Sequence, residues 1–364
     1  MTRIAIFCDG TWNSPTDQEP THVHKLQRAV LNAPERGQVS VYFAGIGTDE
    51  RFDGRLQRVL NRYGGGAFGW GLGTKVKQAY QFIARVYRPG DEIYLFGFSR
   101  GAYTARSVAG MIRKCGIVED TSPDSINRAF RLYRKGGPAN APDMPHIREA
   151  RRWMSPRFAT SEADRAWRND GSEIVQIAYI GVWDTVGARG VPAALPGVAG
   201  KVAGLWNRRY LFHDTQLSSL VKSARHAVAV NERRVLYPPS LWNNLEELNA
   251  GREDDPLRPY QQLWFVGNHS IIGGSARTQA LTGYPLMWVL EGAGRLIRDP
   301  EAVLPLVPED ILTDAPELDE RPRLLRRWRA GPRNPAQLHP SVRDRWSRRS
   351  DYRPANLRHL FPEI

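Results

Sequence analysis

The chain has 364 residues, of which 41% are apolar and 24% are charged, which is the balance of a folded globular protein rather than a disordered or fibrous one. It contains no run of about 18 apolar residues, so no membrane-spanning helix is expected. The formal net charge is +13, and arginines near the C-terminus supply much of the excess. A basic surface can attract nucleic acid or anionic lipid headgroups, although a solvated basic face is the simpler interpretation.

Residues 3–8 predict a first strand, and no small-residue cleavage site follows that would mark a signal peptide. Cys8 and Cys115 are too few for a disulfide framework, so a reducing compartment is expected. These features predict a cytoplasmic location, with export by a dedicated secretion system left open.

The first predicted strand runs into Asp9-Gly10-Thr11. Haloacid-dehalogenase phosphatases also have a strand ending in Asp-Gly-Thr, but their nucleophilic Asp would fall here at Phe7, so that chemistry lacks its nucleophile. The N–H groups of Gly10 and Thr11 are instead candidates to donate to an oxyanion. Asp9 either braces this loop or, as a turn residue, bonds its own backbone.

The tract 64–73 is rich in glycine, but no Gly-Lys-Ser/Thr follows at the spacing of a phosphate-binding loop. We interpret it as a pliable loop in which Phe68 and Trp70 line a pocket, with a plain connector as the alternative. Apolar spacing and composition predict four further elements in the first 88 residues: helices over 23–33, 51–63 and 75–87, and a strand over 39–44.

Residues 93–96 form a continuous apolar run, which suits a strand buried on both faces. Gly97-Phe98-Ser99-Arg100-Gly101 follows, and the residues after it are small and helix-compatible. A strand, a glycine-flanked serine and a helix make a nucleophile elbow, in which a strained turn exposes the serine oxygen. The glycines leave room where a Cβ would crowd the strand or the helix. The Arg100 N–H, at the helix N-terminus, is a candidate oxyanion donor. The alternative is a glycine-rich turn with an incidental serine.

The polar stretch 119–172 has several short helical patterns, and we interpret it as a cap or an insertion. Residues 173–182 predict another strand, which is followed by Asp184. An Asp at the C-terminal end of a buried strand is well placed to orient a histidine, although it could instead cap the next segment. The segment 188–206 is interpreted as a flap over the site, as a surface touching lipid, or as a packed loop.

Residues 261–266 predict the last clear strand, and His269 follows it. This is where a chain order of Ser, Asp and His places the catalytic base. His226 is the alternative base, but it falls inside a helix predicted over 217–230, where a lone histidine is more often a packing residue. A further helix is predicted over 284–297. Because no ligand-spaced set accompanies the histidines, neither a metal site nor a cofactor is predicted.

Four motifs of this chain resemble, in sequence and in order, the motifs of one protein family. In chain order they are Asp9-Gly10-Thr11, Gly97-Phe98-Ser99-Arg100-Gly101-Ala102, Gly181-Val182-Trp183-Asp184-Thr185-Val186-Gly187 and Trp264-Phe265-x-Gly267-x-His269. Over roughly residues 2–295 the chain resembles the α/β-hydrolase domain shared by phospholipase effectors of the type VI secretion system and stand-alone bacterial relatives. The resemblance implies Ser99 as nucleophile, Asp184 as acid and His269 as base. It suggests ester or phospholipid hydrolysis.

The resemblance also implies an α/β fold with a mostly parallel central sheet, helices on both faces, and helical or loop insertions. We assign residues 1–300 to the catalytic domain, with 119–172 and 188–260 as cap or insertions. Residues 301–364, which are rich in Pro and Arg, are predicted to pack on the same domain as a C-terminal extension, because they carry no second apolar pattern.

One position departs from the family pattern. After the histidine the family usually reads His-Ser-Asp followed by glycines, whereas this chain has His269-Ser270-Ile271-Ile272-Gly273. Ile271 therefore stands where the family has Asp. If that Asp supports the site in relatives, we expect altered activity or substrate preference here.

The sequence thus predicts a serine hydrolase of carboxylic esters, with a lipid or phospholipid-type substrate and with peripheral contact to an anionic membrane surface as a further option. The alternative is an altered hydrolase fold that binds nucleic acid or another anionic partner through its basic face. No specific nucleic acid is expected, because aromatic residues are not interleaved with the arginines as in a stacking surface. The sequence does not indicate an oligomeric state.

Overall fold

The computed structural model describes residues 1–10, 19–45, 67–187 and 216–361, except 236, 253, 254, 256, 304–307, 309 and 319–326, and it describes residues 67–70 by their backbone alone. Its strands are β1 (Arg3–Cys8), β2 (Gln38–Phe43), β3 (Glu92–Phe98), β4 (Phe158–Ala159), β5 (Glu173–Ile174), β6 (Gln176–Trp183), β7 (Ala224–Ala229) and β8 (Tyr260–Phe265). Its helices are α1 (His22–Ala29), α2 (Ala67–Val86), α3 (Arg100–Cys115), α4 (Pro123–Arg134), α5 (Pro145–Met154), α6 (Glu162–Arg168), α7 (Leu245–Leu248), α8 (His269–Gly273), α9 (Gly283–Gly292), α10 (Pro300–Val303) and α11 (Pro340–Arg348).

The central sheet has six strands in the order β2-β1-β3-β6-β7-β8, and every neighbouring pair runs parallel. A separate pair, β4 and β5, forms a small second sheet. Parallel strands end at the same edge, so the loops that follow β1, β3, β6, β7 and β8 meet there, which is where open α/β sheets place their sites.

Alternate residues of β1 enter two different hydrophobic clusters. Ile4 and Ile6 pack in the cluster that contains the apolar side chains of α2 and α3, whereas Ala5 and Phe7 pack in the cluster that contains those of α1 and α9. The sheet is therefore covered on both faces, as a parallel sheet requires. The predicted α/β-hydrolase-like class, with a mostly parallel sheet between helices, is confirmed.

The C-terminal residues lie against the β7–β8 edge of the sheet. A third apolar cluster joins Val342 and Leu357 to Val228 and Trp264. The His339 N–H donates to the Trp264 carbonyl at 2.9 Å. This edge of the sheet is thus covered by the chain that follows residue 326.

Several C-terminal arginines are engaged within the fold. Arg345 is buried and donates to two backbone carbonyls. Arg349 pairs with two aspartates, and the Arg353 guanidinium lies 4.7 Å from the centre of the Trp346 ring. Part of the basic charge in this segment is therefore paired or packed against groups of the protein itself.

Two predicted elements are wrong. The helix predicted over 217–230 is largely replaced by β7, because a short strand buried on both faces loses the alternation that distinguishes it from a helix. The glycine tract is not a loop throughout, since α2 begins at Ala67. A Cβ on Gly73 would lie 3.1 Å from the Phe130 ring, so the glycine permits close packing of α2 on α4.

Other predictions fall outside the part of the chain that is described. These are the helix over 51–63 and the flap over 188–206. The described helices include none that is both long and apolar enough to cross a membrane.

Candidate active site

Ser99 lies at a sharp turn between β3 and α3. Its φ of 56° is unusual for a residue with a side chain. A Cβ on Gly97 would lie 2.5 Å from the Gly101 carbonyl oxygen, and a Cβ on Gly101 would lie 2.0 Å from the Cys8 carbonyl oxygen. Glycine is therefore required at both positions, because the backbone approaches too closely for a Cβ. The packed strand and helix on either side hold Ser99 in its strained conformation.

His269 is the first residue of α8, directly beyond the loop that follows β8. Its Nε2 lies 2.9 Å from Ser99 Oγ. Its backbone N–H donates to Glu232 Oε2 at 3.1 Å, and its ring packs between those of Phe98 and Tyr237, with centroid distances of 4.6 and 4.8 Å. These contacts hold the imidazole in one orientation against the serine.

Asp184 follows β6 directly and is fully buried, with a φ of 38°. His269 Nδ1 lies 2.5 Å from Asp184 Oδ2, and the Ala229 N–H donates to Asp184 Oδ1 at 3.0 Å. Because Nδ1–H donates to the carboxylate, Nε2 is left as the acceptor that faces Ser99. The structure thus brings together the three residues predicted as a catalytic group.

Arg329 completes the surroundings of this carboxylate, although in the sequence it is only one of the many arginines near the C-terminus. Its two terminal nitrogens donate to Asp184 Oδ1 at 2.6 Å and to Oδ2 at 2.9 Å. The two residues are 145 positions apart, and Arg329 precedes α11 in an irregular segment. No motif or periodicity marks it, so no signal in the sequence could have found it.

The surroundings of the site favour an ionised Asp184, through its partners, and a neutral His269, through burial. Burial alone would raise the pKa of Asp184, but the Arg329 guanidinium and the hydrogen bonds from His269 and Arg329 hold it well below its usual range. Burial lowers the pKa of His269, an effect that Asp184 and Glu232 oppose. An imidazole that is neutral at neutral pH can accept the proton of Ser99.

Both ring nitrogens of His226, the alternative base, have hydrogen-bond partners other than Ser99. The residue lies on β7 rather than in a helix, and it is fully buried. The Thr185 N–H donates to its Nε2 at 3.2 Å, and its Nδ1 lies 2.9 Å from Gln262 Oε1. Burial, together with the nearby Arg106 charge, lowers the pKa of His226 to about 3. It supports the loop after Asp184 as a neutral ring.

The loop after β1 is braced by Asp9. Its carboxylate accepts hydrogen bonds from Thr21 Oγ1 at 2.6 Å and from the Tyr42 hydroxyl at 2.7 Å. It also accepts the Gly10 N–H at 2.7 Å. The expectation that this N–H points to an oxyanion is therefore not met, because the adjacent carboxylate takes it. Thr11 and the side chains of Phe68 and Trp70 lie outside the described residues.

Ile271 occupies an apolar site rather than a polar one. Its side chain is fully buried in the third cluster, with Trp264 and Leu338. The Asn268 side chain caps α8 by accepting the Ile271 N–H at 3.1 Å. At this position the chain has packing where the family pattern has a carboxylate. Across the described residues, no group of three or more His, Cys, Asp or Glu could hold a metal ion.

Comparisons with known proteins agree with the resemblance. A family model described as the catalytic domain of type VI secretion system (T6SS) phospholipase effector Tle1-like proteins matches residues 2–292. An uncharacterized protein of Saccharomyces cerevisiae is 29% identical over 241 residues, which cover 64% of this chain and 31% of the yeast protein.

Two solved structures are also similar. One is an uncharacterized protein from Pseudomonas aeruginosa, with 14% identity and a TM-score of 0.43 over 85% of this chain and 49% of that one. The other is the Tle1 effector bound to the VgrG spike of the type 6 secretion system, with 20% identity and a TM-score of 0.36 over 75% of this chain and 51% of that one. The chain thus spans about half the length of these solved chains. Since the family model covers well over half of its residues, the chain belongs to the Tle1-like family of T6SS phospholipase effectors, through their catalytic domain.

Proposed function

We propose that the chain is a serine hydrolase that cleaves carboxylic ester bonds, with lipids of the phospholipid type as substrates. The observation that carries the proposal is the continuous hydrogen-bonded path from Ser99 Oγ through His269 to Asp184, with distances of 2.9 and 2.5 Å. The path lies where parallel strands end, and the serine sits on a strained turn at the start of a helix. Membership of a phospholipase family supports a lipid ester as the substrate.

The reaction would proceed in two stages. Ser99 Oγ attacks the ester carbonyl carbon while His269 Nε2 takes the hydroxyl proton, and the same proton then passes to the leaving alcohol. A water molecule next attacks the acyl-serine with His269 again as base, which releases the carboxylic acid and restores the serine. Asp184 keeps Nδ1 protonated and stabilises the imidazolium that forms in each stage.

The oxyanion would lie at the N-terminal end of α3. The N–H of Arg100 follows the nucleophile, and the positive end of the helix dipole favours the developing negative charge. The end of β1 is close by, because a Cβ on Gly101 would lie 2.0 Å from the Cys8 carbonyl oxygen. Since Asp9 takes the Gly10 N–H, the N–H of Thr11, outside the described residues, stays the proposed second donor. Removing one such donor costs on the order of 10²–10³ in turnover.

An active-serine probe tests the proposal without knowledge of the substrate. A fluorophosphonate should label the folded wild type, and Ser99→Ala should abolish labelling. Ser107→Ala is the matched control, because Ser107 is a buried serine of α3, the helix that follows Ser99. Hydrolysis should then be measured on short esters, lysophospholipids and phospholipid vesicles. Labelling that survives in Ser99→Ala, or its absence from the folded wild type, would contradict the proposal.

The alternative of an anion-binding module is not favoured. Arg329, Arg345 and Arg349 donate to groups of the protein itself, so they do not present a continuous free surface. A salt titration of nucleic-acid binding checks this directly, because electrostatic binding weakens steeply with ionic strength. We expect no binding that is detectable at physiological salt.

A further inference from the structure

We propose that Arg329 is a positioning residue for the Ser99 site: it holds the Asp184 carboxylate in the orientation that His269 requires and so sets the lower pH limit of the activity. The inference rests on the proposed function. It deepens that function by assigning a role to a residue beyond residues 2–292, the part that the family model matches.

The contact between Arg329 and Asp184 is a bidentate fork. Nη1 lies 2.6 Å from Oδ1 and Nη2 lies 2.9 Å from Oδ2, and the side chains of both residues are buried. Two parallel N–H···O bonds fix the plane of a carboxylate as well as its position, which a single donor cannot do.

The guanidinium is itself anchored by the backbone. Nη1 also donates to the Ala229 carbonyl at 3.3 Å, and Nη2 to the Tyr237 carbonyl at 2.6 Å. Arg329 therefore joins the end of β7 and the loop after it to the carboxylate. Its place does not depend on Asp184 alone, so it can impose an orientation on the acid.

Asp184 needs such restraint. Its φ of 38° is a strained conformation for a residue with a side chain, and such residues persist only where their surroundings determine them. Its two oxygens accept from the Ala229 N–H, from His269 and twice from Arg329. Without the fork, the carboxylate could rotate away from His269 Nδ1.

Arg329 also acts through charge. Among the residues that the structure describes, the titratable and charged side chains that face His269 are Asp184 after β6, Glu232, Arg234 and Tyr237 after β7, and Arg329 from the C-terminal segment. Asp184 and Glu232 favour the protonated imidazole, and the charge of Arg234 opposes it. Arg329, bound to the same carboxylate, in addition offsets the negative charge of Asp184. Removing Arg329 should therefore raise the pKa of His269, so that the base is lost to protonation at a higher pH.

The C-terminal segment delivers this residue to the site. The Arg327 N–H donates to the Arg233 carbonyl at 2.7 Å, two positions before Arg329. Further along, the Asn356 side chain donates to the Val230 carbonyl at 3.0 Å. The segment that carries Arg329 is thus tied by hydrogen bonds to the residues that follow β7, and these contacts place the guanidinium beside Asp184.

The test is the second-order rate of fluorophosphonate labelling between pH 4 and 9 for the wild type, Arg329→Gln and Arg329→Lys. In Arg329→Gln we expect the acid midpoint to move up by about one unit, which is about a tenfold lower rate on the acid limb, together with a lower plateau. Arg329→Lys keeps the charge but not the fork, so its midpoint should stay near that of the wild type while its plateau falls.

Arg345→Gln is the matched control, because Arg345 is a buried arginine of the same segment that donates to backbone carbonyls and not to Asp184. It should lower the thermal unfolding temperature without moving the midpoint. A folded Arg329→Gln with the midpoint and plateau of the wild type would overturn the proposal. If Arg329→Gln does not fold, an Arg329→Lys plateau equal to that of the wild type would overturn it instead. Labelling that persists in Ser99→Ala would overturn the proposed function first, so the two failures are distinguishable.

Discussion

Replacing Ile271 with Asp, the residue of the family pattern, tests whether apolar packing at this position stabilises the fold. The Ile271 side chain is fully buried among apolar residues, and its polar neighbour Asn268 is already used as the cap of α8. Truncating a buried isoleucine costs about 2–5 kcal/mol. Leaving a buried polar group without a partner adds about 1–3 kcal/mol. We therefore expect Ile271→Asp to lower the free energy of unfolding by about 3–8 kcal/mol, which is comparable with the whole stability of many domains.

The pH dependence of the free energy of unfolding distinguishes the effect of the new charge from the effect of the new side-chain shape. Burial should raise the pKa of the new carboxyl above its unfolded value of about 3.9, so stability is lost as pH rises from the unfolded towards the folded pKa, by about 1.4 kcal/mol per unit. Ile271→Asn has nearly the same shape but does not titrate, and Ile271→Val should cost only about 0.5–1.5 kcal/mol. The assay is urea unfolding of the three variants and the wild type at pH 5 and pH 8. The reasoning is refuted if Asp and Asn are equally destabilising, relative to the wild type, at both pH values, or if Asp is tolerated as well as Val.

Three further outcomes follow from the site. Gly101→Ala should abolish probe labelling, because its Cβ would lie 2.0 Å from the Cys8 carbonyl oxygen, whereas Gly90→Ala, with open space around it, should cost about 1 kcal/mol and retain labelling. His226→Gln should lower the free energy of unfolding by about 1–3 kcal/mol, measured by thermal unfolding, and should retain labelling. His269→Gln should abolish labelling, and the reverse pattern would mean that His226 is the base. Burial raises the pKa of both cysteine thiols to about 12, so iodoacetamide should modify them only after unfolding, and rapid modification of the folded protein would contradict their burial.

The elements around Ser99 were predictable because the information is local. A buried apolar run, a glycine-flanked serine and a small-residue helix follow one another within about twenty residues, and each carries its own propensity. Asp184 and His269 each follow a run of β-favouring residues, and parallel strands end at one edge. Their proximity to Ser99 could therefore be expected, although their roles remain proposals that the labelling experiments test.

Prediction from local sequence pattern was wrong where tertiary contacts determined the structure. The apolar spacing around His226 fits a helix, yet this segment forms β7, because it pairs with β6 and β8 in the sheet. The glycines at the start of α2 disfavour a helix by propensity, yet close packing on α4 permits one. Tertiary contacts overrode local preference in both places.

The sequence by itself determined the fold class and the order of the predicted Ser, Asp and His at strand ends, because strand patterns and turn glycines are properties of neighbouring residues. Only the tertiary structure decided what surrounds Asp184. Arg329 reaches it across 145 positions from an irregular segment, and the Gly10 N–H turns to Asp9 instead of towards the serine. A long side chain can bridge any two segments that the fold brings together, so such a contact leaves no periodicity and no motif along the chain.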